Sequence, residues 1–134
     1  MPAIPVTKEK CSNLRYKHLD NFTHFKNKGL VPFCIAELPK IVTNYPIVFT
    51  KLNDVFSINF ITSFSPNLNL FIDGEGKWIG NYIPAIYRSM PFMYTSVKKN
   101  EKMVLSFIEE LECVISNDMV NKGYNNFYEG KELS

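Results

Sequence analysis

The chain has 134 residues and a net charge of +2; 46% of its residues are hydrophobic and 14% aromatic. That length supports one domain with its own hydrophobic core and no need of a disulfide or metal staple. The composition is too apolar for a disordered chain, and the charge balance implies no strongly electrostatic partner such as nucleic acid.

Cys11, Cys34 and Cys113 are odd in number and far apart. They do not form a disulfide framework and fit a reducing compartment, so a cytoplasmic location is expected. The first ten residues contain no apolar stretch of the signal-peptide kind. The longest uncharged run, residues 55–72, carries Ser57, Asn59, Thr62, Ser63, Ser65, Pro66, Asn67 and Asn69. That much polarity is wrong for a bilayer span and excludes a membrane permease.

In chain order, residues 1–13 read as an extended polar arm with Pro2 and Pro5. Residues 14–28 mix Leu14, Tyr16, Leu19, Phe22 and Phe25 with polar residues in no clear period and read as mostly irregular. Residues 30–35 form a short apolar run that Pro32 confines to an edge strand or a strand start. Residues 37–44 suit a short helix with Pro39 in its first turn. Pro46-Ile47-Val48-Phe49-Thr50 is a strong strand signal. Residues 55–64 alternate, with Phe56, Ile58 and Phe60 on one face. Lys51-Leu52-Asn53-Asp54 between the two runs predicts a β-hairpin. Ser65-Pro66-Asn67 is loop.

Residues 69–94 organise the rest and hold the single tryptophan, Trp78, and one of the two arginines, Arg88. Asn69-Leu70-Phe71-Ile72 suits a buried strand. Asp73-Gly74-Glu75-Gly76 is a turn signal, because glycine accepts positive φ at no steric cost. Lys77-Trp78-Ile79 is the returning strand, ended by Gly80. Trp78 is expected to be buried between this hairpin and a short helix over residues 82–88 with Pro84 in its first turn. Pro91 stops that helix, and Phe92-Met93-Tyr94-Thr95 resumes a strand.

Lys98-Lys99-Asn100-Glu101 is a polar turn. Residues 102–111 are ambiguous between strand and helix, with hairpin spacing favouring strand for the first half. Cys113-Val114-Ile115 suits one more short strand. Residues 117–134 read as a loosely held polar tail. The resulting fold class is α+β, a mostly antiparallel β-sheet with short helices, in a single domain over residues 1–134.

Candidate chemistry is sparse. Cys11, His18, His24 and Cys34 carry metal-ligating groups, but no pair has the tight spacing by which a turn presents two ligands together, so no metal is expected. Asp73 and Glu75 resemble the start of a calcium loop without its further oxygen ligands. Cys34 lies in an apolar run, where thiols are usually inert. No nucleophile elbow or phosphate-binding glycine loop exists, and neither catalytic residues nor a cofactor are expected. The lysines at 98, 99 and 102 make a solvated turn and no nucleic-acid footprint. Arg88 is the sharpest feature, because its planar fork suits carboxylates. It has two readings: an internal pair with Asp73 or Glu75, or recognition of a peptide carboxylate. Trp78, Tyr82 and Asp73 complete the candidate binding set.

These residues resemble a known family. Asn69-Leu70-Phe71-Ile72-Asp73, Gly76-Lys77-Trp78, Tyr82-Ile83-Pro84-Ala85, Arg88 and Pro91-Phe92 look like the central signature of the SapC family. Val31-Pro32, Glu37 and Tyr45-Pro46-Ile47-Val48-Phe49 match its upstream pattern in the same order, as do the weaker Leu14-Arg15, Phe22 and Phe25. The resemblance runs from about residue 4 to about residue 133. It implies a bacterial accessory protein without a membrane span, associated with surface-layer (S-layer) protein systems, and it carries over no catalytic residues. Members of the family usually continue past residues 130–133, so a shortened C-terminus is expected.

Three functions follow from the residues and the resemblance together. The first is a non-enzymatic accessory protein that binds a polypeptide during surface-protein export or maturation. The second is a subunit of a protein-modifying enzyme whose chemistry lies in an absent C-terminal part. The third is a structural or oligomerisation module. A shortened chain is also expected to self-associate, or to bind a separate C-terminal half, through exposed strand edges at residues 30–35 and 102–108.

Overall fold

The structure, a computed structural model, describes residues 2–97, 102–119, 123–129 and 132–133. In chain order the elements are β1 (Ile4–Pro5), α1 (Lys8–Cys11), β2 (Leu14–Tyr16), a 3₁₀ turn (Thr23–Phe25) and β3 (Leu30–Pro32). A second 3₁₀ turn (Ile35–Glu37) runs into α2 (Leu38–Ile41), followed by β4 (Ile47–Leu52), β5 (Val55–Ile61) and α3 (Ala85–Arg88). The chain continues with β6 (Phe92–Val97), β7 (Lys102–Phe107), β8 (Val114–Ser116), β9 (Asn125–Asn126), β10 (Tyr128–Glu129) and β11 (Glu132–Leu133). Every pairing of these strands is antiparallel, so the fold is α+β, mostly antiparallel sheets with short helices. Among the described residues, no helix is long and apolar enough to cross a membrane.

The chain divides into two compact units. One is contiguous, Asp20–Arg88, and the other joins Met1–Leu19 to Ser89–Ser134. In the contiguous unit the sheet order is β3-β5-β4. The β4–β5 hairpin closes on Asn53 and Asp54, both at positive φ (49° and 62°). Two consecutive residues of that sign make a type I′ turn, whose twist matches the strands that flank it. Pro39 sits at the start of α2, where a missing N–H costs nothing. The core of this unit is Phe22, Phe25, Val31, Ile41, Tyr45, Phe60, Ile72 and Tyr87.

The segment around Trp78 is tighter than a hairpin of two strands. Its one ladder contact is the bridge Ile72↔Trp78. The Asn69 Oδ1 accepts from the Phe71 N–H (3.0 Å), a local bond that competes with strand pairing. The Asp73 Oδ1 accepts from the N–H groups of Glu75 (2.9 Å) and Lys77 (2.8 Å) and so builds the turn itself. Positive φ falls on Gly76 (85°), where an added Cβ would lie 2.4 Å from both Asn21 Oδ1 and Thr23 Oγ1.

The second unit holds the sheets β1-β7-β6 and β8-β2-β9, with β10 and β11 paired beside them in sequence. Several sequence expectations fail here, in whole or in part. Residues 1–13 are not a plain extended arm: α1 forms, with the Thr7 hydroxyl accepting from the Lys10 N–H (3.4 Å) as its N-cap. The C-terminal segment is not a loose tail either. β9 pairs with β2, and Phe127, 2% exposed, meets the rings of Tyr16, Phe92 and Phe107 at centroid distances of 5.0, 5.7 and 4.9 Å. β2 itself lies within the stretch expected to be irregular. Residues 105–107 lie between β6 and β1, whereas residues 102–104 pair with β6 alone among the described strands, so the edge expected over this stretch holds for its first half only. The polar turn expected at residues 98–101 lies outside the described residues.

Truncating a buried aromatic ring removes both its transfer energy and its contacts. Phe127→Ala is expected to lower unfolding free energy by about 3–5 kcal/mol, read as a shift of the denaturant midpoint. A loosely held tail would leave that midpoint where it is.

Candidate functional site

The candidate residues of the central stretch meet the upstream segment at one carboxylate. Glu37 ends the 3₁₀ turn before α2, and its side chain is 10% exposed. Its Oε1 accepts from the Tyr82 hydroxyl (2.5 Å) and from the backbone N–H of Ala85 (2.7 Å), the first residue of α3. That N–H has no partner within a four-residue helix, so Glu37 satisfies it from outside. The Arg88 Nη2 lies 3.6 Å from the same oxygen and donates to the Tyr82 hydroxyl at 3.0 Å. The Arg88 Nε donates to the Ile83 carbonyl at 2.8 Å. The Tyr82 ring also receives two cations, with Lys40 and Arg88 each 5.4 Å from its centroid.

Arg88 therefore forms an internal pair, but with Glu37 and not with Asp73 or Glu75. Asp73 is engaged by the amides of its own turn, and Glu75 pairs with Lys77 at 2.9 Å. Chain proximity pointed to the nearest acids; the fold brings an upstream one instead.

Behind Tyr82 lies an aromatic cluster. Trp78 stacks on Phe71 (5.8 Å between centroids, 16° between planes) and leans on Tyr87 at 5.2 Å. Its indole N–H is shared between the Tyr82 carbonyl (3.0 Å) and the Tyr45 hydroxyl (3.2 Å). The Tyr45 hydroxyl donates in turn to the Tyr82 carbonyl. Trp78 thus lies between the turn and α3 as expected, but it is half-buried, not enclosed. Gly80 passes so close that an added Cβ would lie 2.7 Å from the indole nitrogen and 2.9 Å from the Tyr45 oxygen. A glycine is required there by space, not by φ.

Beyond the aromatic cluster, Phe71 also lines a groove of 390 Å³ with Pro46, Ile61, Phe64, Leu70 and Ile79. Thr62 and Ser63 are its polar lining residues, and no ionisable side chain lines it. Among the described residues, no group of three or more His, Cys, Asp or Glu side chains comes together as a metal site would need. Cys34 is exposed, contrary to its apolar sequence context, while Cys11 and Cys113 are buried.

The residues that converge on Glu37 come from both the upstream and the central motif. Residues 6–132 match the family model described as SapC. The chain belongs to the SapC family. No curated protein and no solved structure matches it. In this SapC family member, Glu37 and Tyr45 were visible in the sequence only as members of the upstream motif. Their contacts with Tyr82 and Trp78 tie the two motifs together in this chain.

Burial pushes the hydroxyls of Tyr45, Tyr82 and Tyr87 above their usual range. At Tyr82 the hydrogen bond to the Glu37 carboxylate adds to this, and Arg88 opposes it. At Tyr87 burial dominates and the Asn69 amide opposes it in part.

Two predictions follow from this geometry. Glu37→Ala leaves a part-buried N–H and a part-buried hydroxyl without their acceptor and is expected to cost about 1–3 kcal/mol of stability in denaturant unfolding. Glu37→Gln keeps an oxygen at that place and should cost less. The tyrosines predict a pH dependence. Below the unfolded value of about 10, both states keep the phenolic proton and stability is level. Above it the unfolded chain loses its protons first, so stability falls as pH rises toward the higher folded values. Denaturant midpoints measured up the alkaline limb should show that fall, with a shallower slope in Tyr87→Phe.

Proposed function

We propose that this SapC family member is a non-enzymatic accessory protein of the cytoplasm that binds an extended polypeptide during surface-protein export or maturation. The observation that carries this reading is the groove beside Phe71. Its walls are apolar, it has room for one or two large side chains, and Phe64, Leu70 and Ile79 on it are exposed to solvent. The alternative of an enzyme subunit draws less support. Glu37, Tyr82 and Arg88 converge, but they are committed to one another and to backbone groups, as a structural staple is. A catalytic set needs a group held ready for a substrate proton.

The groove also explains the position of Trp78 one ring behind it. Phe71 touches the groove on one side and stacks on the indole on the other. A side chain seated on Phe71 would therefore change the surroundings of the single tryptophan without touching the Glu37 contacts.

Trp78 fluorescence, titrated with capped synthetic peptides carrying Phe, Leu or Ile among Ser and Gly, tests the reading. Saturable binding is expected, weakened at least about tenfold by Leu70→Glu, or about 1.4 kcal/mol. Equal affinity for Ser/Gly control peptides, or no response to any peptide by fluorescence and calorimetry, overturns it.

A second reading, an oligomerisation module, is favoured by one observation. Among the described residues, nothing pairs with the outer edge of β4.

A further inference from the structure

The β3-β5-β4 sheet has two edges of different character. On one side β3 is three residues long and ends in Pro32, which has no N–H to offer. On the other side β4 runs for six residues, IVFTKL, without proline. Its register shows which groups point outward. The Ile61 N–H donates to the Pro46 carbonyl at 3.0 Å, so the ladder between β4 and β5 bonds through even-numbered residues of β4. Antiparallel pairs alternate between hydrogen-bonded and non-bonded. Ile47, Phe49 and Lys51 therefore turn their N–H and C=O groups away from β5 and toward the open edge.

The side chains of those same three residues share a face with Phe56, Ile58 and Phe60 of β5. That face begins in the core, where Phe60 is 0% exposed, and runs out to Phe49 at 75% and Phe56 at 69%. Apolar area thus continues along the hairpin well past the point where this chain covers it.

We propose that the partner of this edge is a second copy of the chain, with the two β4 strands pairing antiparallel about a two-fold axis at Phe49. This inference rests on the oligomerisation reading and gives it an interface. The register follows from the outward groups, because only an axis at Phe49 gives Ile47, Phe49 and Lys51 each a partner within β4, whereas axes at Val48 or Thr50 leave one of them opposite Tyr45 or Asn53, outside the strand. An axis at Phe49 sets Phe49 opposite Phe49 of the other copy and Ile47 opposite Lys51, so every outward-facing residue meets another. An axis shifted by half a residue pairs outward with inward residues and loses the bonds. An axis at Lys51 sets two like charges face to face, which destabilises a cross-strand pair. At Phe49 the lysines meet isoleucines, and the two apolar faces lie on the same side of one continuous sheet. Such a two-fold contact closes on itself and leaves no further β4 edge open.

Cross-linking tests the register directly. Residues facing each other in a hydrogen-bonded pair have Cα atoms about 5.5 Å apart, within disulfide reach. In a Cys34→Ser background, which removes the exposed thiol, Phe49→Cys should form a covalent dimer on mild oxidation and Thr50→Cys should not. Light scattering over a concentration series should show a dimer of the unaltered chain. Phe49→Pro should move its midpoint at least tenfold, because the Phe49 N–H serves the edge and not the hairpin. Phe49→Lys, which leaves the backbone intact and opposes two charges, should do the same. A dimer unaffected by either substitution overturns the β4 interface and keeps the oligomerisation reading. A monomer at every concentration overturns both. A monomer whose Phe49 variants lose affinity for the apolar peptides assigns the edge to a polypeptide and overturns the second copy.

Discussion

Much of the contiguous unit depends on one carboxylate oxygen. Glu37 Oε1 is nearly out of water, yet it serves a hydroxyl, a backbone N–H and a guanidinium. A buried carboxylate is costly unless paired and hydrogen-bonded. Here each partner also needs the carboxylate. The Ala85 N–H opens a helix too short to supply its own acceptors. The Tyr82 hydroxyl is partly buried, and Arg88 has two further acceptors in the Tyr82 hydroxyl and the Ile83 carbonyl. The arrangement ties α3 to the segment that leads into α2, two elements far apart in sequence.

The aromatic cluster solves a related problem. Trp78 and Tyr45 bring two polar hydrogens into an apolar setting, and both are spent on the Tyr82 carbonyl. An unpaired donor at that depth costs more than a made bond contributes. The Tyr82 residue thus works at both ends: its carbonyl holds the cluster, and its hydroxyl holds Glu37. Gly80 lets the backbone pass close enough for this to happen.

What the sequence disclosed follows from the range of each signal. The β4–β5 hairpin was legible because alternation and turn residues are local signals, although the connection expected over residues 51–54 closes on Asn53 and Asp54 alone. Both α2 and α3 were legible because Pro39 and Pro84 mark helix starts by their own covalent structure. The strand read into residues 69–72 failed because the Asn69 side chain bonds the Phe71 amide, a competition that apolar patterning does not register. Helix α1 is a single turn, too short to show a period, and only the Thr7 cap betrays it. Phe127 was hidden by its polar neighbours, since one buried ring gives no pattern. Candidate site residues Trp78, Tyr82 and Arg88 do converge, with Arg88 and Tyr82 in direct contact; Asp73 serves its own turn. The acid that gathers Tyr82 and Arg88, Glu37, lies too far upstream for spacing arguments. Only its place in the family motif drew notice.

The division of the chain also sets an order of assembly during synthesis. Asp20–Arg88 is contiguous, so all of its contacts are present once Arg88 has left the ribosome. The other unit joins residues translated before Asp20 to residues translated after Arg88, Phe127 among them. Until those later residues emerge, Tyr16 has neither β8 nor β9 to pair with its strand, and its ring waits for partners. Domains generally fold as units, in the order in which translation completes them. Residues 1–19 are therefore translated before the contiguous unit and completed after it, and in that interval their apolar side chains are the ones that nascent-chain binding factors would meet.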